Sequence, residues 1–462
     1  MTLENLPVAV IGGGPIGLAA AAHLMTRGLP VRVYEAGATV GANLRDWGHV
    51  RVFTPWELNI DAASRALLER HGWTLPPLGE LPTGDDLYGR YLKPLAKTPE
   101  LAGVIEVGAR VEAIARRGAD KVASKGRATK PFQLRIARPD GTRRDDLARA
   151  VIDASGTWDT PNPLGATGLS APGERENGRR IAYGMPDVLG RDRGAYAGRR
   201  TLVIGAGYSA ANVLIDLVRL ARDVPQTSAI WVVRGTDLVR VYGGGRADQL
   251  PARGELGWQL KALVDRGAVA LVRGFAATAV HAAGDGLVLE GDTTEGPRRL
   301  GPVDRIVVAT GQRPDLGMTR ELRLELDPWL ESVRALGPLI DPNLHSCGDV
   351  PPHGHRELAH PEPGFYTIGV KSYGRAPTFL LLTGYEQARS VVAAIAGDVA
   401  AADRVQLVLP ETGVCQVRFE PDALTGSAAC DGPVPAVAKA GAIPNAVGTD
   451  ACKAGCGGGL AA

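Results

Sequence analysis

The residues best suited to chemistry in this chain are glycines set at the ends of apolar runs. Gly12, Gly13, Gly14 and Gly17 follow Val8-Ala9-Val10-Ile11, and Gly205 and Gly207 follow Thr201-Leu202-Val203-Ile204, 193 positions further on. A glycine-rich turn between a strand and a helix lets the backbone approach a pyrophosphate, and the helix amides then face its negative charge. One such turn is a weak signal because short glycine patterns arise by chance. Two, each between a strand and a helix, imply a chain that holds two dinucleotides, as hydride transfer from a nicotinamide to a flavin requires.

The first turn carries the fuller set. Gly12 permits the tight turn, Gly14 the approach to the pyrophosphate, and Gly17 the close seating of helix on strand. A helix is predicted from Pro15 and Ile16 to about Arg27, with Gly28 and Pro30 as its stop. Val31-Arg32-Val33-Tyr34 reads as the next strand, and Glu35 at its end stands 23 residues after Gly12, placed to bind the hydroxyls of an adenosine ribose. This is the expected FAD site. In the second turn, after Tyr208, Ser209 and Ala210 replace the third-glycine region, a variant suited to a nicotinamide dinucleotide. The next strand, Ile230-Trp231-Val232-Val233, runs into Arg234 where an NAD site would carry an acid. A guanidinium there can grip a ribose 2′-phosphate in bidentate fashion, so NADPH is expected over NADH; a solvated surface arginine is the other reading.

The elements that must position these groups suggest an α/β fold of two Rossmann-like domains. Ala150 to Asp153 runs into the small-residue turn Ala154-Ser155-Gly156, and Arg305 to Val308 into Ala309-Thr310-Gly311, marking two crossings between domains. The expected divisions are a first FAD part at 1–175, an inserted NADPH-binding domain at 176–304, a second FAD part at 305–410, and a flexible Gly/Ala-rich tail at 411–462. Residues 41–100, with Trp47, Trp56 and Trp73 and an amphipathic helix from Asp61 to His71, would cover the flavin or simply fill a core. Pro363 to Gly369 reads as a strand ending in glycine, followed by a helix from Ala376 to about Ala396 whose N-terminus could face the flavin. Gly348-Asp349 is a rival for the ribityl contact; Gly369 is preferred because a continuous strand precedes it. The expected FAD-binding set is thus Gly12, Gly14, Pro15, Ile16, Gly17, Glu35, Ala36, Trp47, Val111, Ser155, Gly156 and Gly369. The expected nicotinamide set is Gly205, Gly207, Tyr208, Ser209, Ala210, Arg234, Thr310 and Gly311.

Composition agrees. At 462 residues there is room for two α/β domains, and a net charge of +2 points to neither nucleic acid nor an anionic membrane as partner. No apolar stretch approaches a membrane span, the N-terminus lacks a basic leader, and five unevenly spaced cysteines make no disulfide framework. A cytoplasmic enzyme acting on a small molecule is expected; the sequence gives no oligomeric state.

These landmarks resemble the two-dinucleotide flavoprotein superfamily that includes flavin-containing monooxygenases and thioredoxin reductases. The chain is more closely similar to the flavin-dependent monooxygenases of bacterial arsenic-resistance gene clusters. That resemblance rests on Trp47-Gly48-His49-Val50-Arg51, Pro55-Trp56, Tyr183-Gly184-Met185-Pro186-Asp187, His345-Ser346-Cys347-Gly348 and Lys371-Ser372-Tyr373-Gly374-Arg375-Ala376-Pro377-Thr378. It implies an FAD-dependent, NADPH-consuming monooxygenase acting on a soft nucleophile such as an organic arsenical or a sulfur compound. It also implies that Tyr183 and Asp187 could donate protons. Two departures bear on activity. The stretch Ile181 to Val188 lacks the histidine of ketone-oxygenating relatives, and the Cys-x-x-Cys of thioredoxin reductases is absent, since Cys452 and Cys456 are separated by three residues.

Cys347 reads either as a metalloid-binding or redox thiolate or as a small buried hydrophobe. The tail cysteines Cys430, Cys452 and Cys456 read as ligands of a thiophilic ion or as incidental. His345, His353, His355 and His360 crowd one stretch without a zinc spacing, so no metal is expected, and no residue is assigned as catalytic acid or base. Two other functions stay open: a reductase passing electrons to a quinone, metal or protein, and a metalloid-binding or sensing flavoprotein.

Overall fold

A computed structural model describes residues 3–344, 350–377 and 379–410. The two four-residue apolar runs of the first half, β1 (Val8–Ile11) and, across helix α1 (Pro15–Thr26), β2 (Val31–Tyr34), pair in parallel with Val8 opposite Val31. Every residue of β1 is buried, as a strand covered on both faces requires. Proline at the first position of α1 suits a turn whose N–H groups have no intrahelical acceptor, and the run Ala19 to Ala22 lets the helix lie close on the sheet. Helix α2 (Ala62–Arg70) follows, capped by Asp61, whose Oδ2 accepts from Ser64 N at 2.8 Å. Then come β3 (Ile105–Glu106), a meander of β4 (Arg110–Arg116), β5 (Phe132–Ala137) and β6 (Arg143–Ala148), and β7 (Ala150–Asp153).

The second half repeats the plan. Strands β8 (Ile181–Tyr183) and β9 (Arg200–Ile204) lead to α3 (Tyr208–Asp223), β10 (Ser228–Val232), α4 (Pro251–Asp265) and β11 (Ala270–Val272). An antiparallel meander of β12 (Ala276–Ala283), β13 (Gly286–Thr293) and β14 (Gly296–Val303) precedes β15 (Arg305–Val308). The chain then returns through β16 (Phe365–Thr367) to α5 (Leu381–Ile395). The sheet orders are β16-β7-β1-β2-β3 and β11-β10-β9-β15-β8, all parallel. The fold is therefore α/β with two Rossmann-like sheets, and β16 rejoins the first sheet 212 residues after β7 ends. No described helix is long and apolar enough to cross a membrane.

Two elements differ from expectation. Strand β15 pairs with β9 and β8, so the second sheet continues past the expected division at 304 and closes only at about residue 309. The helix expected from Ala376 begins at Leu381 instead. Gly369 to Tyr373 forms a 3-10 turn, Gly374 follows at φ +60°, and Pro377 disfavours helical backbone at Ala376. The tail at 411–462, Cys347, His345 and the rival pair Gly348-Asp349 lie outside the described residues.

Candidate functional site

The two glycine turns are built alike at the C-terminal edges of the two sheets. Gly12 has φ +99°, and a Cβ on it would stand 2.6 Å from Ala154 O, the carbonyl that ends β7. A Cβ on Gly17 would stand 1.9 Å from Gly12 O, so α1 can sit on β1 only with glycine there. Gly14 is different: its φ is ordinary at −80°, and nothing lies within 4 Å of where a Cβ would project. Room beside the glycine that precedes a helix N-terminus is an arrangement in which a diphosphate can sit. Glu35 closes the other end, its two carboxylate oxygens accepting from Gly13 N and Gly37 N, each at 2.6 Å. Ala109 N donates to Glu35 O at 2.8 Å, just before buried Val111 at the start of β4, and Ala36 is exposed.

Ser155 and Gly156 lie at the same edge, one strand over from β1. Gly369, at φ +73°, lies one strand further, and a Cβ on it would stand 3.5 Å from Ile16. Its N–H donates to Gln387 Oε1 on α5 at 2.7 Å, tying the β16 end to that helix. Pro15 and Ile16 open α1 at that edge, and Trp47 packs on the turn at Gly84. Trp56 is wholly buried in the core of the first domain.

In the second cradle a Cβ on Gly205, at φ +138°, would stand 2.1 Å from Ala309 O. Gly207 at φ −104° is as open as Gly14. Tyr208 and Ser209 begin α3, and Ala210 is fully buried where the first turn carries Gly17. Thr310 and Gly311 follow β15 here and are held by Asn162, whose Nδ2 donates to Thr310 O at 3.0 Å. Arg234, two residues beyond β10, is exposed, with Nη1 donating to Ala166 O at 3.1 Å.

Tyr208 of the second turn makes a contact that the sequence did not announce. The Phe53 ring lies 5.1 Å from that of Tyr208, and the Arg253 guanidinium 5.9 Å from Phe53. Beside it runs a cleft of about 240 Å³ between His49, Arg51 and Thr83 on one side and Met185, Asp187, Asn212, Asp216 and Arg219 on the other. Asn212 and Asp216 follow Tyr208 at four-residue steps along one face of α3. Burial pushes the Asp216 carboxyl up, opposed by Arg219, which donates to it at 3.0 Å, and by His49 across the cleft. Asp187 spends both oxygens on the N–H groups of Gly190 and Arg191. Tyr183 donates to Glu174, and burial with that carboxylate pushes the phenol up, so it is held protonated.

Three of the four crowded histidines, His353, His355 and His360, have separate partners. His353 bonds Gln387, His355 pairs with Asp403 at 2.8 Å, and buried His360 accepts from Glu325 N at 3.3 Å. Among the described residues no three potential ligands gather as a metal site. Burial pushes His360 down to about 4, with Asp153 opposing the shift. It is therefore neutral in the fold, and its contribution is complete above the unfolded value near 6.5 and lost as pH falls toward 4. Denaturant melts between pH 7 and 4 should lose about 3 kcal/mol through this group. His360→Phe should remove that part of the slope; an unchanged slope would contradict it.

A model of the pyridine nucleotide-disulphide oxidoreductase family matches residues 6–361. Among solved structures that share the fold, bacillithiol disulfide reductase from Bacillus cereus is 18% identical at a TM-score of 0.62, with 85% of this chain and 99% of that one covered. The FAD-bound cadaverine monooxygenase of desferrioxamine biosynthesis from Erwinia amylovora is 13% identical at 0.57, over 91% and 99%. Thioredoxin reductase from T. acidophilum is 15% identical at 0.53, over 86% and 99%. At these identities the likeness is one of fold. No curated protein matches the chain in sequence.

Proposed function

Because the chain belongs to the pyridine nucleotide-disulphide oxidoreductase family, we propose that it is an FAD-dependent NADPH oxidoreductase that oxygenates small soft nucleophiles. One observation carries this reading: both glycine turns are open at their middle glycine, in a chain with no Cys-x-x-Cys. Electrons that enter from a nicotinamide then have no dithiol of that spacing to leave by, so the acceptor must reach the flavin itself. FAD, when bound, supplies the hydride acceptor and, once reduced, reactivity toward dioxygen.

The chain's own residues do the rest. Gly14 and the N-terminus of α1 hold the FAD diphosphate, and Glu35 takes its ribose hydroxyls. Gly207 and the start of α3 hold the second diphosphate, with Arg234 on the 2′-phosphate. Phe53 and Tyr208 exclude water between the domains, and the cleft at Asp216 admits a small polar substrate. The resemblance to arsenic-cluster enzymes supports an organic arsenical or a sulfur compound as that substrate.

Oxygen uptake with NADPH tests the finer reading. A trivalent organoarsenical or a thioether should stimulate uptake, with less hydrogen peroxide formed than NADPH consumed and the oxygenated product recovered. Anaerobic NADPH oxidation driven by a quinone or a disulfide, without oxygenated product in air, would make the protein a reductase.

A further inference from the structure

A buried lysine lies at the edge where the first cradle opens. Lys371, in the 3-10 turn after β16, has 2% of its side chain exposed, and Asp153 at the end of β7 has none. Lys371 Nζ stands 2.8 Å from Asp153 Oδ2 and donates to Ser155 Oγ at 3.0 Å. The Ser155 hydroxyl in turn donates to Asp153 Oδ1 at 2.7 Å, and Ser155 N donates to the same oxygen at 3.1 Å. These bonds leave Ser155 one orientation. The bond to Ser155 uses one of the three ammonium hydrogens, and the approach to Asp153 Oδ2 is an ion pair in which that buried oxygen has no hydrogen-bond partner among the described residues.

A buried ion pair rarely stabilises a fold more than well-packed apolar residues would, so this one marks a place with a task. Its surroundings point to which. The Cα of Ser155 lies 3.0 Å from where a Cβ on Gly12 would stand, and Gly369, two residues before Lys371, faces Ile16 in the first turn of α1. Through Ser155 the ammonium is thus tied to the residue that packs on Gly12, two positions before the open glycine of the first turn.

We propose that Lys371 is a ligand of the FAD diphosphate, giving a free N–H to a phosphate oxygen, with Asp153 and Ser155 as the positioning residues that aim it. This rests on the FAD reading above. A charge-assisted bond of this kind would tighten FAD binding about ten- to a hundredfold.

The test uses the full chain stripped of flavin. FAD affinity is measured by quenching of flavin fluorescence, and ADP and adenosine are compared as competitors for that site. In the wild type ADP should compete better than adenosine. In Lys371→Met, and in the Asp153→Asn/Lys371→Met double variant that leaves no unpaired buried charge, the advantage of ADP should shrink at least tenfold while adenosine competes unchanged. An equal loss for both competitors, or an unchanged ADP advantage in the folded double variant, would make the cluster a structural clamp and overturn the assignment. Wild-type protein that binds no FAD would instead overturn the FAD reading beneath it.

Discussion

Gly14→Ala should give a protein that folds like the wild type and binds FAD at least a hundredfold more weakly, a loss of about 3 kcal/mol. The added methyl meets nothing in the protein, because no atom lies within 4 Å of its position and φ is −80°. It meets only what occupies the cradle, so its whole cost falls on the cofactor. Gly17→Ala is the contrasting variant: its methyl would stand 1.9 Å from Gly12 O and must push α1 off β1, lowering stability with or without flavin. Thermal melts of the two apoproteins, with FAD titrations of each, separate these effects. Normal FAD affinity in Gly14→Ala would remove the first cradle as the flavin site.

Arg234→Ala should raise KM for NADPH ten- to a hundredfold and leave KM for NADH within about twofold. The guanidinium is exposed just past β10 and donates from Nη1 to a carbonyl, with no carboxylate paired to it among the described residues. Its remaining donors can therefore serve a dianion at the cost of little competing charge. The phosphate contact is absent in NADH, so the two coenzymes should diverge in the variant. Equal changes in both KM values would mean that Arg234 is a surface arginine, and the acid-free end of β10 would then not explain a coenzyme preference.

Both cradles were legible in the sequence because each is written in consecutive residues. Glycine identity at 12, 14 and 17 reports backbone constraints that a side chain would break, and the strand–turn–helix order around it is local. The lysine clamp was not legible: Ser155 and Lys371 are 216 positions apart and meet only because β16 returns beside β7. The cleft is hidden for the same reason, since His49 and Asp216 are 167 positions apart in the chain. The allegiance of β15 was misplaced because a short apolar run carries no mark of which sheet it will join. The late start of α5 was readable in Gly374 and Pro377, two residues that favour non-helical backbone before Leu381.

The most direct measurement is anaerobic titration of the purified, FAD-loaded protein with NADPH, followed by visible absorbance and then by admission of air. The flavin band should bleach with about one NADPH per FAD and return when oxygen is admitted. A flavin band that NADPH leaves unchanged would contradict an enzyme that joins the two dinucleotides.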